Sequence, residues 1–241
     1  MALRVFADGR IFGERTGSGP PKVLALHGWG RDHRDFRGLL AGLDAIAVDL
    51  PGFGATAAPD SAWGTAQYAD AVAALLPEFP APPVVVGHSF GGRVAVRLAA
   101  RGLPLRALLL TGVPLVRLVP ARRPPLGYRL VRRLHRLGLV GERRMERARR
   151  RHGSEDYRRA SGVMREVLVR TVNERYDQDL GAIGCPVELV WGERDTVAPV
   201  AAARAAERLL ARATLTVCEG ADHFSVLDHP ATRAALRKHY P

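Results

Sequence analysis

Gly87-His88-Ser89-Phe90-Gly91 constrains this chain more than any other stretch. It follows Pro83-Val84-Val85-Val86, a β-branched run that reads as a buried strand, and precedes Gly92–Ala100, which reads as a helix. A serine held between two glycines at a strand-to-helix junction predicts a very tight turn. In such a turn the residues two before and two after the serine must lack bulk, and Gly87 and Gly91 meet that demand. The turn lifts the Ser89 hydroxyl clear of the backbone, so the pentad predicts a nucleophile elbow.

The surrounding chain reads as strands alternating with helices. Leu3–Ala7 and Arg10–Arg15 flank an Asp8-Gly9 turn and predict a hairpin. Apolar strands follow at Lys22–Leu26, Ala45–Asp49, the elbow strand and Ala107–Thr111, with helices expected over Arg31–Leu43 and from Thr65 to Leu76. After Pro114 the alternation stops. Leu126, Leu130, Leu134 and Leu137 recur at helical spacing with arginines between them, and Glu142–Arg151 is a charged helix candidate. A third helix is expected from Ser154, with Tyr157, Ala160, Met164, Leu168 and Val172 as its apolar positions. Periodicity does not say whether Leu126, Tyr128, Leu130 and Met164 line a pocket or pack on the core. The rhythm resumes with a strand at Pro186–Trp191, a helix at Val200–Leu210, a strand at Thr214–Val217 and a terminal helix. A mainly parallel α/β sheet with a helical insertion is therefore expected.

The 241 residues suffice for one large α/β domain without disulfide or metal staples. Cys185 and Cys218 are too few for a disulfide framework and point to a reducing compartment. The start, Met1–Gly9, lacks the apolar core of a signal peptide, and no apolar run reaches bilayer length, so a soluble cytoplasmic protein without a transmembrane segment is expected. The formal charge of +12 comes almost wholly from arginine. Between Pro114 and Leu180 there are 18 arginines and no lysine against 8 carboxylates, so most of the excess lies in the insertion. A solvated helical face explains this more simply than a specific anionic partner, nucleic acid or anionic membrane, and no nucleic acid is expected as a partner.

A serine hydroxyl needs a base to remove its proton as it attacks. His223, in Gly220-Ala221-Asp222-His223-Phe224, lies just beyond the last strand, and Asp195, in Trp191-Gly192-Glu193-Arg194-Asp195, just beyond the one before it. Ser89, Asp195 and His223 in that order predict nucleophile, orienting acid and base. Asp195 has a second reading as the cap of the following helix. Asp222 and Asp228 are expected to make local turn or cap bonds, and Glu193 is an alternative acid. The oxyanion formed by attack needs two N–H donors. The Phe90 amide follows the nucleophile, and Trp29, in His27-Gly28-Trp29-Gly30 after the Lys22–Leu26 strand, supplies the second. Trp29, His88 and Phe224 are the expected substrate contacts, although His27 and His88, beside glycines in tight turns, also have a structural reading. His33, His135, His152, His229 and His239 show no ligand spacing, so neither metal nor cofactor is expected.

With these residues in place the chain resembles the α/β-hydrolase superfamily, its motifs running from Leu26 to His223. The resemblance implies an α/β-hydrolase fold: an eight-stranded, mostly parallel sheet with its second strand antiparallel, helices on both faces, and a helical lid after strand six. The core would then be residues 1–113 and 181–241, and the Arg-rich lid residues 114–180. A serine at position 89 departs from the haloalkane dehalogenases and epoxide hydrolases, which place an aspartate there, and from the dienelactone hydrolases, which place a cysteine. Leu26-His27-Gly28-Trp29-Gly30 followed by Val48-Asp49-Leu50-Pro51-Gly52-Phe53-Gly54 is similar to the pimeloyl-carrier-protein methyl ester esterases. Those enzymes receive an acidic acyl carrier protein on basic lid residues. This chain differs from them in having His88 and Phe90 around the serine, where they commonly have Trp and Leu. The implied activity is cofactor-independent cleavage of a small-molecule carboxylic ester through an acyl-enzyme on Ser89. The alternatives are carbon–carbon bond hydrolysis of a diketone acid, or action on an ester borne by an acyl carrier protein.

Overall fold

A computed structural model describes residues 3–118, 125–152 and 154–241. Eight strands form one sheet: β1 (Leu3–Phe6), β2 (Ile11–Thr16), β3 (Val23–Leu26), β4 (Ala45–Val48), β5 (Val84–His88), β6 (Ala107–Thr111), β7 (Val187–Gly192) and β8 (Ala213–Cys218). Their spatial order is β1-β2-β4-β3-β5-β6-β7-β8. β2 runs antiparallel to both β1 and β4, while every later pairing is parallel. The expected α/β-hydrolase sheet, antiparallel second strand included, is present.

The central strands are apolar throughout because both faces of the sheet are covered. Side chains alternate between faces: Leu24, Leu26, Ile46, Val48, Val85, Leu108 and Leu110 enter one core, and Val23, Ala25, Ala45, Ala47, Val84, Val86 and Leu109 the other. Helices α1 (Thr65–Ala73), α2 (Phe90–Ala99) and α8 (Val200–Glu207) close the first face through Tyr68, Val72, Val94, Leu98 and Ala203. The second face is closed by α9 (Pro230–His239) through Leu236, together with Phe36, Leu39, Leu40 and Leu43.

Those last four residues lie where a helix over 31–43 was expected, but only His33–Phe36 forms a single 3₁₀ turn. The rest proceeds by mixed turns, with Leu40 N–H donating to Phe36 O and Leu43 N–H to Leu40 O. Gly42, at φ +75°, ends any helical run, and the apolar spacing that suggested a helix is satisfied by successive turns.

Between β6 and β7 the described residues contain helices only: α3 (Leu126–Arg136), α4 (Glu142–His152), α5 (Glu155–Arg159), α6 (Gly162–Thr171) and α7 (Asp177–Ala182). The helix expected from Ser154 to Val172 is divided, because Ala160 and Ser161 are extended and Gly162 takes φ +51°. α7, which crosses the expected boundary at 180, was not foreseen. Residues 119–124 and 153 of the expected 114–180 insertion lie outside the described residues. The segment is tied to the sheet layer at several points. Arg93 of α2 donates to Pro114 O and Thr171 O, Arg97 pairs with Asp179 at 2.7 Å, and Glu174 accepts from the Thr65 amide at the start of α1. Among the described residues no helix is long and apolar enough to cross a membrane.

Candidate active site

The elbow is as tight as the pentad predicts. A Cβ on Gly87 would stand 2.5 Å from Gly92 Cα, and one on Gly91 2.1 Å from Leu26 O, so only glycine fits at either place. Ser89 itself takes φ 49° and ψ −109°, a backbone conformation that side chains rarely adopt and that costs about 1–3 kcal/mol. Surrounding bonds hold it there: Ser89 N–H donates to Thr111 O at 3.0 Å, and Gly91 N–H to His27 O at 2.9 Å. The serine is thereby fixed between the ends of β3 and β6, at the N-terminus of α2.

Asp195 and His223 are brought together from the loops after β7 and β8. His223 Nδ1 lies 2.8 Å from Asp195 Oδ2, and both side chains are buried. Asp195 does not cap α8, whose N-cap is Pro199 without a side-chain bond, but it does cap the turn before that helix. Its Oδ1 accepts from the Val197 and Ala198 amides at 2.9 and 2.7 Å, so it caps the following turn while Oδ2 holds the imidazole. Trp191, fully buried, donates from Nε1 to Ala198 O and pins the same loop from below. The other acids are engaged elsewhere. Asp222 accepts from the Phe224 and Ser225 amides, and Glu193 from the Gly220 amide.

Gly112 joins the two halves of the site, and no motif pointed to it. It follows Thr111, whose carbonyl anchors Ser89, and a Cβ there would lie 2.8 Å from His223 Cε1 and Nδ1 and 3.2 Å from Asp195 Oδ2. The imidazole therefore rests on the bare α-carbon of Gly112. A glycine directly after a buried strand was the available signal.

Of the two expected oxyanion donors, the Phe90 amide directly follows the serine, and Trp29 follows Gly28, whose position adjoins Ser89. The Phe90 amide opens α2 and has no acceptor within its own helix. At Trp29 the peptide is set by His27. Leu50 N–H donates to His27 Nε2 at 2.9 Å, so the ring proton is on Nδ1, which donates to Gly28 O at 2.7 Å. In a trans peptide the following N–H points opposite to that carbonyl, so the Trp29 amide is turned away from the His27 ring. Burial pushes the His27 pKa down, which keeps the ring neutral and this arrangement intact. The site of Gly28 adjoins Ser89, since a Cβ there would stand 3.4 Å from Ser89 Cβ.

Aromatic side chains wall the serine on one side. Trp29 meets Phe53 and Phe90 edge-on with centroids 4.9 and 5.4 Å apart, and Tyr68 meets Phe90 at 5.0 Å. Met164 of α6 covers Gly52 and reaches the Tyr68 hydroxyl, so it packs on this wall, whereas Leu126 and Leu130 are exposed. Phe224 stands half exposed next to His223, with the Arg31 guanidinium 5.0 Å from its ring. His88, the third expected substrate contact, is fully buried, its Nδ1 at 2.9 Å from Thr111 Oγ1 and its ring 4.8 Å from that of His223. It has no surface to offer a ligand, and its structural reading is the one the geometry supports. Burial, then the neighbouring His223, push its pKa down to about 3.

Tertiary contact also gathers Asp32, His33 and Asp49, which have no ligand spacing in the sequence. Their lone pairs are already engaged: Asp49 Oδ1 accepts from the His33 amide and faces its Nδ1 at 2.7 Å, and Oδ2 accepts from the Ala55 amide. The cluster ties the loop carrying Trp29 to the loop after β4.

The profile of the Alpha/beta hydrolase family matches residues 23–236. The pimeloyl-[acyl-carrier protein] methyl ester esterase of Neisseria meningitidis is 32% identical over 248 residues, spanning 91% of this chain and 93% of that one. An esterase of Mycobacterium tuberculosis is 38% identical over 96 residues, so this chain matches about a third of that protein's length, 32%. Among solved structures, an esterase from Exiguobacterium antarcticum superposes with a TM-score of 0.73 over 99% of both chains at 20% identity, a likeness of fold. The strand order, the elbow and the profile match agree, and the chain belongs to the alpha/beta hydrolase family.

Proposed function

We propose that this protein hydrolyses carboxylic esters through an acyl-enzyme on Ser89. The observation that carries the reading is the buried 2.8 Å bond between His223 Nδ1 and Asp195 Oδ2, resting on Gly112 beside the strained turn of Ser89. With its Nδ1 proton held by Asp195, His223 presents Nε2 as the base. Ser89 Oγ attacks the acyl carbon and its proton passes to His223 Nε2. The negative oxygen of the tetrahedral intermediate takes the Trp29 and Phe90 amides. Collapse expels the alkoxide, which leaves as the alcohol with the proton from His223. Water, deprotonated in turn by His223, attacks the acyl group, and the acid departs with Ser89 restored. None of these steps needs a cofactor. Trp29 and Phe224 border the substrate, and the Arg-rich segment 114–180 serves as the lid.

A second reading places the ester on an acidic carrier protein. The name of the Neisseria relative and the arginine excess between Pro114 and Leu180 favour it. Hydrolysis of a carbon–carbon bond would use the same three residues. A panel of short p-nitrophenyl esters, carrier-protein esters and vinylogous diketone acids separates the three by relative kcat/KM. Ser89→Ala should abolish ester turnover and labelling by a fluorophosphonate probe. Equal rates for the purified variant and its parent would refute the assignment.

A further inference from the structure

α3 is covered on one side only. At 100° per residue, Leu126, Leu130 and Leu137 fall within about 40° of one another, and Arg133, Arg129 and Arg136 occupy the adjoining flank. The three leucines are 78, 58 and 63% exposed, and Leu139, just beyond, is 71% exposed. The opposite side of the helix, with Val131, Leu134 and His135, is half-buried towards α4, whose Met145 is buried. On α4 the acids are taken: Glu142 pairs with Arg149, and Glu146 with Arg150 and Arg165. Among the described residues Arg129, Arg132, Arg133 and Arg136 meet no carboxylate. From Leu126 to His152 there are 10 arginines against 2 glutamates.

We propose that this face of α3 docks on an anionic lipid surface. An exposed leucine stripe bordered by unpaired guanidiniums matches the boundary of a bilayer, where leucines enter the acyl region and arginines reach the headgroup phosphates. A nucleic acid would answer the arginines but leave three leucines against a polar surface, and an acidic protein would need a matching apolar patch of its own to cover them. Lipid answers both without a dedicated partner patch, which favours it over these partners. The inference stands apart from the ester chemistry, since docking needs neither Ser89 nor His223.

The test is co-sedimentation of the full chain with vesicles of phosphatidylcholine alone, or of equal parts phosphatidylcholine and phosphatidylglycerol, at physiological ionic strength. The protein should pellet with the anionic vesicles and remain in solution with the neutral ones. Leu126→Ser, Leu130→Ser and Leu137→Ser combined should lower the bound fraction by about tenfold or more. Arg129→Gln, Arg133→Gln and Arg136→Gln combined should do the same. All six side chains lie on the surface, so circular dichroism should report an unchanged fold in both variants. Failure to bind anionic vesicles overturns the proposal. So does full binding by the leucine variant, which would mark a bare cationic patch of the kind an acidic protein or DNA would use.

Discussion

Replacing Gly112 by alanine puts a methyl group where the imidazole of His223 now rests. The new Cβ would lie 2.8 Å from Cε1 and Nδ1 of that ring. Unstrained carbon contacts begin near 3.5 Å, so the ring must retreat by roughly 0.7 Å. That movement disturbs the 2.8 Å bond to Asp195 and displaces the imidazole that the proposed mechanism sets against Ser89. A misplacement of ~1 Å at a reacting group costs about 10²-fold in rate, so kcat/KM on a short p-nitrophenyl ester should fall on the order of 10- to 100-fold. The backbone adds a separate cost. At φ +59°, alanine is about 1–2 kcal/mol worse than glycine. For a domain of this size that lowers the melting temperature by roughly 2–8 °C.

The two costs have different origins, and a double-mutant cycle separates them. In a His223→Ala background the imidazole contacts are gone and only Asp195 Oδ2, at 3.2 Å, remains near the methyl group, so Gly112→Ala should cost little further rate while the melting temperature still drops. Rates of p-nitrophenyl ester hydrolysis and thermal unfolding curves for the four proteins complete the cycle. The reasoning fails if Gly112→Ala leaves the rate unchanged, or lowers it equally with and without His223.

Asp195→Asn should keep the capping bonds from the Val197 and Ala198 amides through its carbonyl oxygen while turning an NH₂ group towards His223 Nδ1. The imidazole proton would then move to Nε2, the atom that accepts from Ser89 in the proposed mechanism, and kcat should fall by about 10³- to 10⁴-fold with little loss of thermal stability; retention of a tenth of the parent rate would remove Asp195 from its proposed role. Stability should also depend on pH through His88. Its pKa is pushed from 6.5 down to about 3 in the folded chain, so between those values the unfolded chain holds the extra proton. Unfolding free energy is therefore full above pH 6.5 and declines as pH falls through that window, by up to about 1.4 kcal/mol per pH unit from this residue. Urea midpoints at successive pH values should show a shallower decline for His88→Gln than for the parent, and equal slopes would show that His88 is not held neutral.

What could be read from the sequence follows a physical division. Ser89 and Asp195 each follow a buried strand and His223 follows the half-exposed edge strand β8, and a parallel sheet brings the ends of such strands to one edge. Local signals sufficed for them: a glycine pentad, an apolar run, a polar residue just past it. Gly112, the Asp32–His33–Asp49 cluster and the contact of Met164 with Gly52 depend on which loops face one another, and no spacing records that. The helix expected over 31–43 failed for a related reason. Burial of Phe36, Leu39, Leu40 and Leu43 on one face of the sheet needs only that their side chains turn inward, and successive turns achieve this as well as a helix does.

The histidines show how burial divides roles among side chains of one kind. His27, His88 and His223 all surround Ser89, yet burial lowers the pKa of the first two. Each is matched to a neutral-ring contact, His27 to the Gly28 carbonyl and the Leu50 amide, His88 to the Thr111 hydroxyl. His223 faces a carboxylate, the one partner among these that gains from a positive ring. Of the three, His223 alone is bonded to a carboxylate. The other two hold the turns beside the serine and the Trp29 amide, and charging His27 would break the bond that its Nε2 accepts from Leu50.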